Sequence, residues 1–526
     1  VRARLLFAAA ARTLTEIIIY VVVWRLALAA ILVAGADAQE KARPALPENA
    51  RAVSDLAPAA PPEFAADVLL TLATTAGIEP AQRIELLDHA FTFAANARYP
   101  FRLVPAVPEA GHTDSDAGYI SRALQHGLSA LDLQVRAVGA MLTLDRTKAR
   151  AMFESMRPLK LPALTCRDST RPQVNEYYAL LRELFLHGFS PKEKEDGKHL
   201  QFLEQQVRTI HSPFQLESAA RLLLTTGLPD EEFGRLVNAY AAVLKSLQVD
   251  DRSFTAGTTH GLTQPFFDLV KAQQKVSLPT LPLVEGYRSY LVRHLGSQRC
   301  ADTAVAQNAT TTLGNIIGLF NNSLLAMTRP ATAEVPAIKP DELKPAGFID
   351  ERAKVYHFWA TPASKQLLAE MRALRFGTPE QQEELRKLPR RADGMANYLS
   401  EEQRRDPAWE ATVRDFLERV ERWDPDRAEP PVMYFHQRGN MYLFLIEMIP
   451  QGALRDAVMS AFVSFVRQSS LQREDPPQWL VHLRAIMRPR DMSAKELAAA
   501  RAELLRTGDP VMVMYVRLES MVPKGR

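Results

Sequence analysis

At six sites along this chain a Ser, Thr or Asp is followed three residues on by Glu or Gln at the head of a helix-like stretch, four of them with Pro at the next position. The sites are Ser190-Pro191-Lys192-Glu193, Ser212-Pro213-Phe214-Gln215, Thr378-Pro379-Glu380-Gln381, Ser400-Glu401-Glu402-Gln403, Asp475-Pro476-Pro477-Gln478 and Ser493-Ala494-Lys495-Glu496. Each has the form of a capping box. The cap side chain accepts from an N–H of the first helical turn, the Glu or Gln reaches back to the cap N–H, and Pro costs nothing where its missing N–H would have no helical partner. One match says little; recurrence across one chain predicts helices.

The apolar spacing between the caps agrees. Phe64, Val68, Leu72 and Ala76 share one helical face, Gly77 is a natural stop, and Pro80 opens a second helix carrying Ile84, Leu87 and Phe91. Helices joined so closely pack antiparallel. The same grammar returns at Leu131, Val135, Val138 and Leu142, with Asp145 starting the next helix and Met152 and Phe153 facing inward. It returns again at Val174, Tyr177, Leu181 and Leu184, closed by Gly188. Met441 to Ile446 is apolar on every side, as in a fully buried helix. Alternation of period two is scarce, so little or no sheet is expected.

The predicted fold class is therefore all-α, with irregular stacked helical hairpins, α-solenoid-like, in two lobes. Hairpins of about 30 to 45 residues are loosely similar to helical-repeat solenoids, but no fixed period survives and no repeat signature recurs. Proline clusters suggest the divisions: a flexible linker over 39–61, an N-terminal lobe over 62–328, a connector over 329–347 with Pro330, Pro336, Pro340 and Pro345, and a C-terminal lobe over 348–526. A lesser break falls between Asp424 and Pro431.

Ahead of these lies a targeting pattern. Arg25 is followed by the apolar run Leu26 to Ala38, which closes on Ala36-Asp37-Ala38. This reads as a signal peptide over 1–38 with a mature start at Gln39, and hence a periplasmic or secreted protein. The competing reading takes Ile17 to Ala34 as an uncleaved N-terminal anchor, the one case in which a membrane partner is expected. No Cys lies near the cut, so lipid modification is not expected.

Residues 1–38 hold four basic and two acidic side chains, leaving 60 basic against 59 acidic in the remainder, so charge offers no case for nucleic acid as a partner. The chain has two cysteines, Cys166 and Cys300, each just before a helix-capping pattern (Asp168-Ser169, Asp302-Thr303). In an oxidising compartment a disulfide between them is the leading expectation, and two separate buried thiols the alternative. A metal site is not expected, since two isolated Cys supply too few ligands.

No dinucleotide, P-loop, nucleophile-elbow or zinc-hydrolase motif occurs, and none of the 11 His residues pair at helical spacing, so no cofactor or metal is expected. Three constellations stand out. His112-Thr113-Asp114-Ser115-Asp116 offers ligands to a cation, but reads more simply as a polar loop whose Ser115 or Asp116 caps a helix. Tyr356-His357-Phe358-Trp359 offers Tyr356, His357 and Trp359 as the lining of a ligand pocket between the lobes, or as a packed aromatic corner before Thr361-Pro362. Tyr434-Phe435-His436-Gln437-Arg438 offers His436 as a general base with Arg438 as an anion clamp, or an ordinary helical turn; spacing assigns neither a nucleophile nor a carboxylate, so catalytic residues stay unassigned. The functional expectation is a non-catalytic helical scaffold binding a protein or peptide, with an extracytoplasmic all-helical lyase or hydrolase as the alternative.

Overall fold

In the computed structural model three of the boxes close at the start of an α-helix. Ser190 N donates to Glu193 Oε2 at 2.8 Å while Glu193 N donates to Ser190 Oγ at 3.3 Å, and the same reciprocal pairs form at Ser212/Gln215 and Thr378/Gln381. Ser400/Gln403 also forms its pair, yet opens only a 3-10 turn, Gln403–Arg405, because Asp406-Pro407 caps the next helix three residues later. The caps at Asp475 and Ser493 lie outside the described residues. Those are 46–521 apart from 76, 108, 112–113, 250, 255–261, 296–298, 302–308, 327–334, 343–347, 359–360, 390–396, 424–430, 472–477 and 488–493. The signal or anchor segment, and the break after Asp424, are also outside them.

The protein is all-α. After a short helix at Glu48–Ser54 come α1 (Pro62–Ala73), α2 (Pro80–Ala94), α3 (Asp116–Leu124), α4 (Ala130–Leu142), α5 (Arg146–Ser155), α6 (Asn175–His187), α7 (Pro191–Glu195), α8 (Lys198–Arg208) and α9 (Pro213–Thr225). There follow α10 (Asp230–Ser246), α11 (Thr263–Lys275), α12 (Leu281–Leu295) and α13 (Ala309–Ala326), then α14 (Pro362–Phe376), α15 (Pro379–Lys387), α16 (Pro407–Arg422), α17 (Pro431–Met448), α18 (Ala453–Leu471), α19 (Gln478–Met487), α20 (Ala494–Leu505) and α21 (Pro510–Met521). Sheet among the described residues is confined to two ribbons. β1 (Arg102–Pro105) pairs antiparallel with β2 (Thr170–Gln173), and β3 (Arg299–Cys300) pairs parallel with β4 (Phe348–Ile349).

Two compact units divide the chain, 1–51 and 52–526. Within the second, α2 packs on α4, α4 on α6, α6 on α9, α9 on α11 and α11 on α13, while α8, α10 and α12 pack as neighbours behind them. Elements from either side of 329–347 also meet: α21 lies on α1, and α17 on α3. Part of the 39–61 segment expected to be a flexible linker is ordered, with helix Glu48–Ser54 and a 3-10 turn at Ala57–Ala59. The turn holds because Ala57 is buried and the turn packs on α1 and α21. In the connector, the described 335–342 stretch docks through Val335 and Ile338, both buried, and through a reciprocal pair between Asn321 and the Ile338 backbone.

Cys166 and Cys300 are bonded, with Cα atoms 5.3 Å apart, as the sequence suggested. The bridge anchors several strands of chain at once. Buried Arg252 donates to the Cys166 carbonyl at 2.7 Å, Ala301 N to Glu351 O at 2.9 Å, and Lys354 N to Arg167 O at 3.1 Å. Residues 348–358 thus run as an extended strap from the disulfide to the start of α3.

Predicted faces are right in kind and sometimes displaced. Phe64, Val68 and Leu72 are buried as expected, while Ala76 lies outside the described residues. On α2 the buried apolar set is Leu86, Leu87, Ala90 and Ala94, with Ile84 and Phe91 half-exposed, because α1 and α4 flank it from two sides. Gly188 does end α6, but with φ −79 rather than a left-handed turn; glycine suits the position because a Cβ there would crowd the Leu184 carbonyl.

A charged knot joins the ends of this unit. Asp67, 2% exposed, accepts from Arg136 Nη1 at 2.7 Å on Oδ1, and from Arg484 Nη2 at 3.1 Å and the Tyr515 hydroxyl at 2.8 Å on Oδ2. Burial alone would raise its pKa, but the two guanidiniums outweigh it and hold the carboxyl below its ordinary value. Arg484 Nη1 also donates to His126 Nδ1 at 2.5 Å, so that imidazole is neutral, with its pKa lowered to about 4 by burial and by Arg484. Phe64, Trp479 and Tyr515 pack alongside, with ring centroids 5.4 to 6.4 Å apart.

Candidate functional site

The period that makes α4 amphipathic places Leu131, Val135, Val138 and Leu142 on one face, but only Leu131 and Val138 are buried. Val135 and Leu142 stand half-exposed over an open groove of about 930 Å³ between α4 and α6. Leu144, in the α4–α5 turn, and Leu186 of α6 are half-exposed there as well. Two small residues, Gly139 and Ala179, lower the floor of the groove: a Cβ at 139 would come no closer than 3.9 Å to Leu180 Cδ1. The apolar strip is thus one that local pattern assigns to a core and that the fold leaves open to solvent.

The rim is charged. Arg182 donates to Glu183 Oε1 at 2.6 Å and His187 lies 3.6 Å from the same carboxylate, so these three satisfy one another. Lys194 donates to the Leu186 carbonyl at 2.7 Å. Among the described residues neither Lys194 nor Arg146, the other basic side chain of the rim, meets a carboxylate, and Glu176 meets no cation. Sequence reasoning missed this groove. Its signal was present, in a helix carrying more apolar faces than its neighbours cover, but which face stays open is decided by packing.

The described part of the aromatic segment, 356–358, packs as a corner. Phe358 is 1% exposed and meets Trp423 edge-on at 5.4 Å, and its N donates to Asp114 O at 2.9 Å. His357 Nδ1 lies 3.3 Å from Asp114 Oδ1. Tyr356 points outward, 49% exposed, while its backbone is tied to Asp116. Trp359 lies outside the described residues. The cation reading of the 112–116 loop meets the same contacts: Ser115 caps α3, accepting from Gly118 N at 3.0 Å, Asp116 Oδ1 accepts from Ala117 N and Tyr356 N, and His112 lies outside the described residues. Among the described residues no group of three or more His, Cys, Asp or Glu is placed to hold a metal ion.

His436 and Arg438 part company. Arg438 donates to the Tyr434 hydroxyl at 2.5 Å and to the Glu421 carbonyl at 3.0 Å, pinning the end of α16. His436 faces the other way, into a buried cluster where its ring lies tilted 4.6 Å from that of Tyr119 and 5.8 Å from that of His482. Gln437 Nε2 donates to the Tyr119 hydroxyl. Burial pushes the Tyr119 pKa up to about 12 against the pull of Gln437 and Arg122. The His482 pKa falls to about 3, chiefly through burial and then through His436, with the Phe435 carbonyl opposing weakly. Neither ring nitrogen of His482 makes a well-formed hydrogen bond. The ring fits because residue 439 is glycine; a Cβ there would overlap the imidazole. His436, His482 and Tyr119 are each 7% exposed or less, so His436 is packed against α3.

Fold and groove together define an all-helical protein with an open, apolar-floored groove between two helices of its N-terminal half. Comparison with known proteins adds no relative: no family model matches the chain, and no match is found among curated proteins or solved structures.

Proposed function

We propose that this protein is an extracytoplasmic helical scaffold that binds a peptide, or a peptide segment of a protein, in the groove between α4 and α6. The observation that carries the reading is the half-exposed strip of Val135, Leu142, Leu144 and Leu186 over that groove, since apolar surface left open in a concave site is what ligands and partner segments cover. The buried Cys166–Cys300 bridge supports an oxidising compartment. No helix among the described residues is long and apolar enough to cross a membrane.

The test is selection from a displayed peptide library on the immobilised full chain, with counter-selection on Ala179→Trp. Ala179 lines the groove and is exposed to it, so indole there fills the groove without touching the core. Expected are peptides that bind the wild type and lose at least tenfold in affinity on the variant, while the two proteins melt at the same temperature. Binders indifferent to Ala179→Trp would refute the assignment.

A further inference from the structure

The groove's walls restrict what can lie in it. Both are α-helices, whose backbone N–H and C=O groups are bonded within their own turns. An extended peptide lying between them would find no ladder of partners, and its own backbone groups would be left unpaired wherever water is excluded. A helix arrives with those bonds already made. The lining also has helical spacing on both walls. Val135, Gly139 and Leu142 recur at i, i+4 and i+7 on α4, and Glu176, Ala179, Glu183 and Leu186 at i, i+3, i+7 and i+10 on α6. Two such rows side by side, with small residues at the floor, form the trough into which the ridge of a third helix packs.

Charge restricts the occupant further. The Arg182–Glu183–His187 set is satisfied internally, which leaves Arg146 and Lys194 against the lone anion Glu176. The rim therefore carries a surplus of positive charge that a partner of opposite sign would complement. We infer that the occupant is an amphipathic helix with an apolar stripe flanked by acidic residues, and that Arg146 and Lys194 select for that acidic flank. This rests on the groove reading proposed above, and the test is built so that the two can fail separately.

The probes are two fluorescein-labelled peptides of 18 residues with the same leucine stripe at i, i+3, i+4 and i+7, one with Glu and one with Lys at the flanking positions. Each is titrated against the full chain by fluorescence anisotropy, with circular dichroism of the mixture. The acidic peptide is expected to bind at least tenfold tighter than the basic one, about 1.4 kcal/mol. It should gain helix on binding and weaken as salt is raised from about 20 to about 200 mM. Arg146→Glu combined with Lys194→Glu should reverse the preference, provided the variant melts like the wild type; Arg146→Glu alone, at an exposed site, should at least halve it. The inference is overturned if the basic peptide binds as well as the acidic one, if reversal leaves the preference unmoved, or if neither peptide binds. If groove binders obtained by selection still respond to Ala179→Trp, only the inference falls; if binding of either probe ignores Ala179→Trp, the groove reading falls with it.

Discussion

His482 makes the stability of this protein depend on acid in a way that can be isolated. Its ring is 1% exposed, sits against Gly439 and the rings of Phe462 and Phe465, and has its pKa lowered to about 3 from an ordinary 6.5. The folded protein therefore holds the ring neutral where the unfolded chain takes up a proton. The resulting stability is fully present above pH 6.5 and is lost as pH falls from 6.5 toward 3. Each pH unit inside that window costs about 1.4 kcal/mol, so between pH 7 and pH 4.5 the loss assigned to this residue is roughly 2.5 kcal/mol. Replacing it with an apolar residue that fits the same notch, His482→Leu, removes the titration. Among the described residues the only polar contact given up is a poor one with the Phe435 carbonyl. Urea denaturation of both proteins at pH 7, 6, 5 and 4.5 reads the difference directly. His126 and the carboxylates titrate in both and cancel. The gap between variant and wild type should move in favour of His482→Leu by roughly 2.5 kcal/mol over that range. A gap independent of pH would refute the argument that burial, not an ordinary exposed imidazole, governs this site.

Three further experiments follow from the same packing. Replacing both cysteines by Ser releases a loop spanning 134 residues of sequence separation, and in the chain-entropy model the loss is about 5 kcal/mol, to be measured by denaturant unfolding; unchanged stability would mean the bridge carries no load. Gly439→Ala forces a methyl into the His482 ring and should cost about 1–3 kcal/mol. Gly318→Ala, where a Cβ meets nothing within 4 Å inside α13, should instead gain about 0.5–1 kcal/mol, and a pair of thermal melts checks both signs. Phe358→Ala, at the buried end of the strap, should cost about 3–5 kcal/mol. Tyr356→Ala, two residues away and outward, should change stability by under about 0.5 kcal/mol; comparable losses in calorimetry would contradict the corner described for this segment.

Helix starts were legible in the residues because a capping box is closed by atoms three residues apart, and nothing elsewhere in the chain can rearrange it. Ser190 with Glu193 and Thr378 with Gln381 form in the folded protein the bonds their spacing implies. The all-α class follows from the same local physics; the count of two makes a Cys166–Cys300 bridge the leading expectation, and the folded chain decides it against two separate thiols. Ser400 marks where local reasoning ends: its box forms, but Asp406-Pro407 close by claims the helix. Periodicity says that Val135 and Leu142 share a face with Leu131 and Val138, yet it cannot say which part of that face a neighbour covers, and that difference is the groove. Residues 356–358 and His436 are far apart in sequence, and both meet α3: its Tyr119 takes up His436 and its first turn takes up the strap. Burial, the neutral state of His482 and the surplus charge at the rim are all sums over residues distant along the chain. Only the tertiary structure brings those residues within reach of one another, so only it decides them.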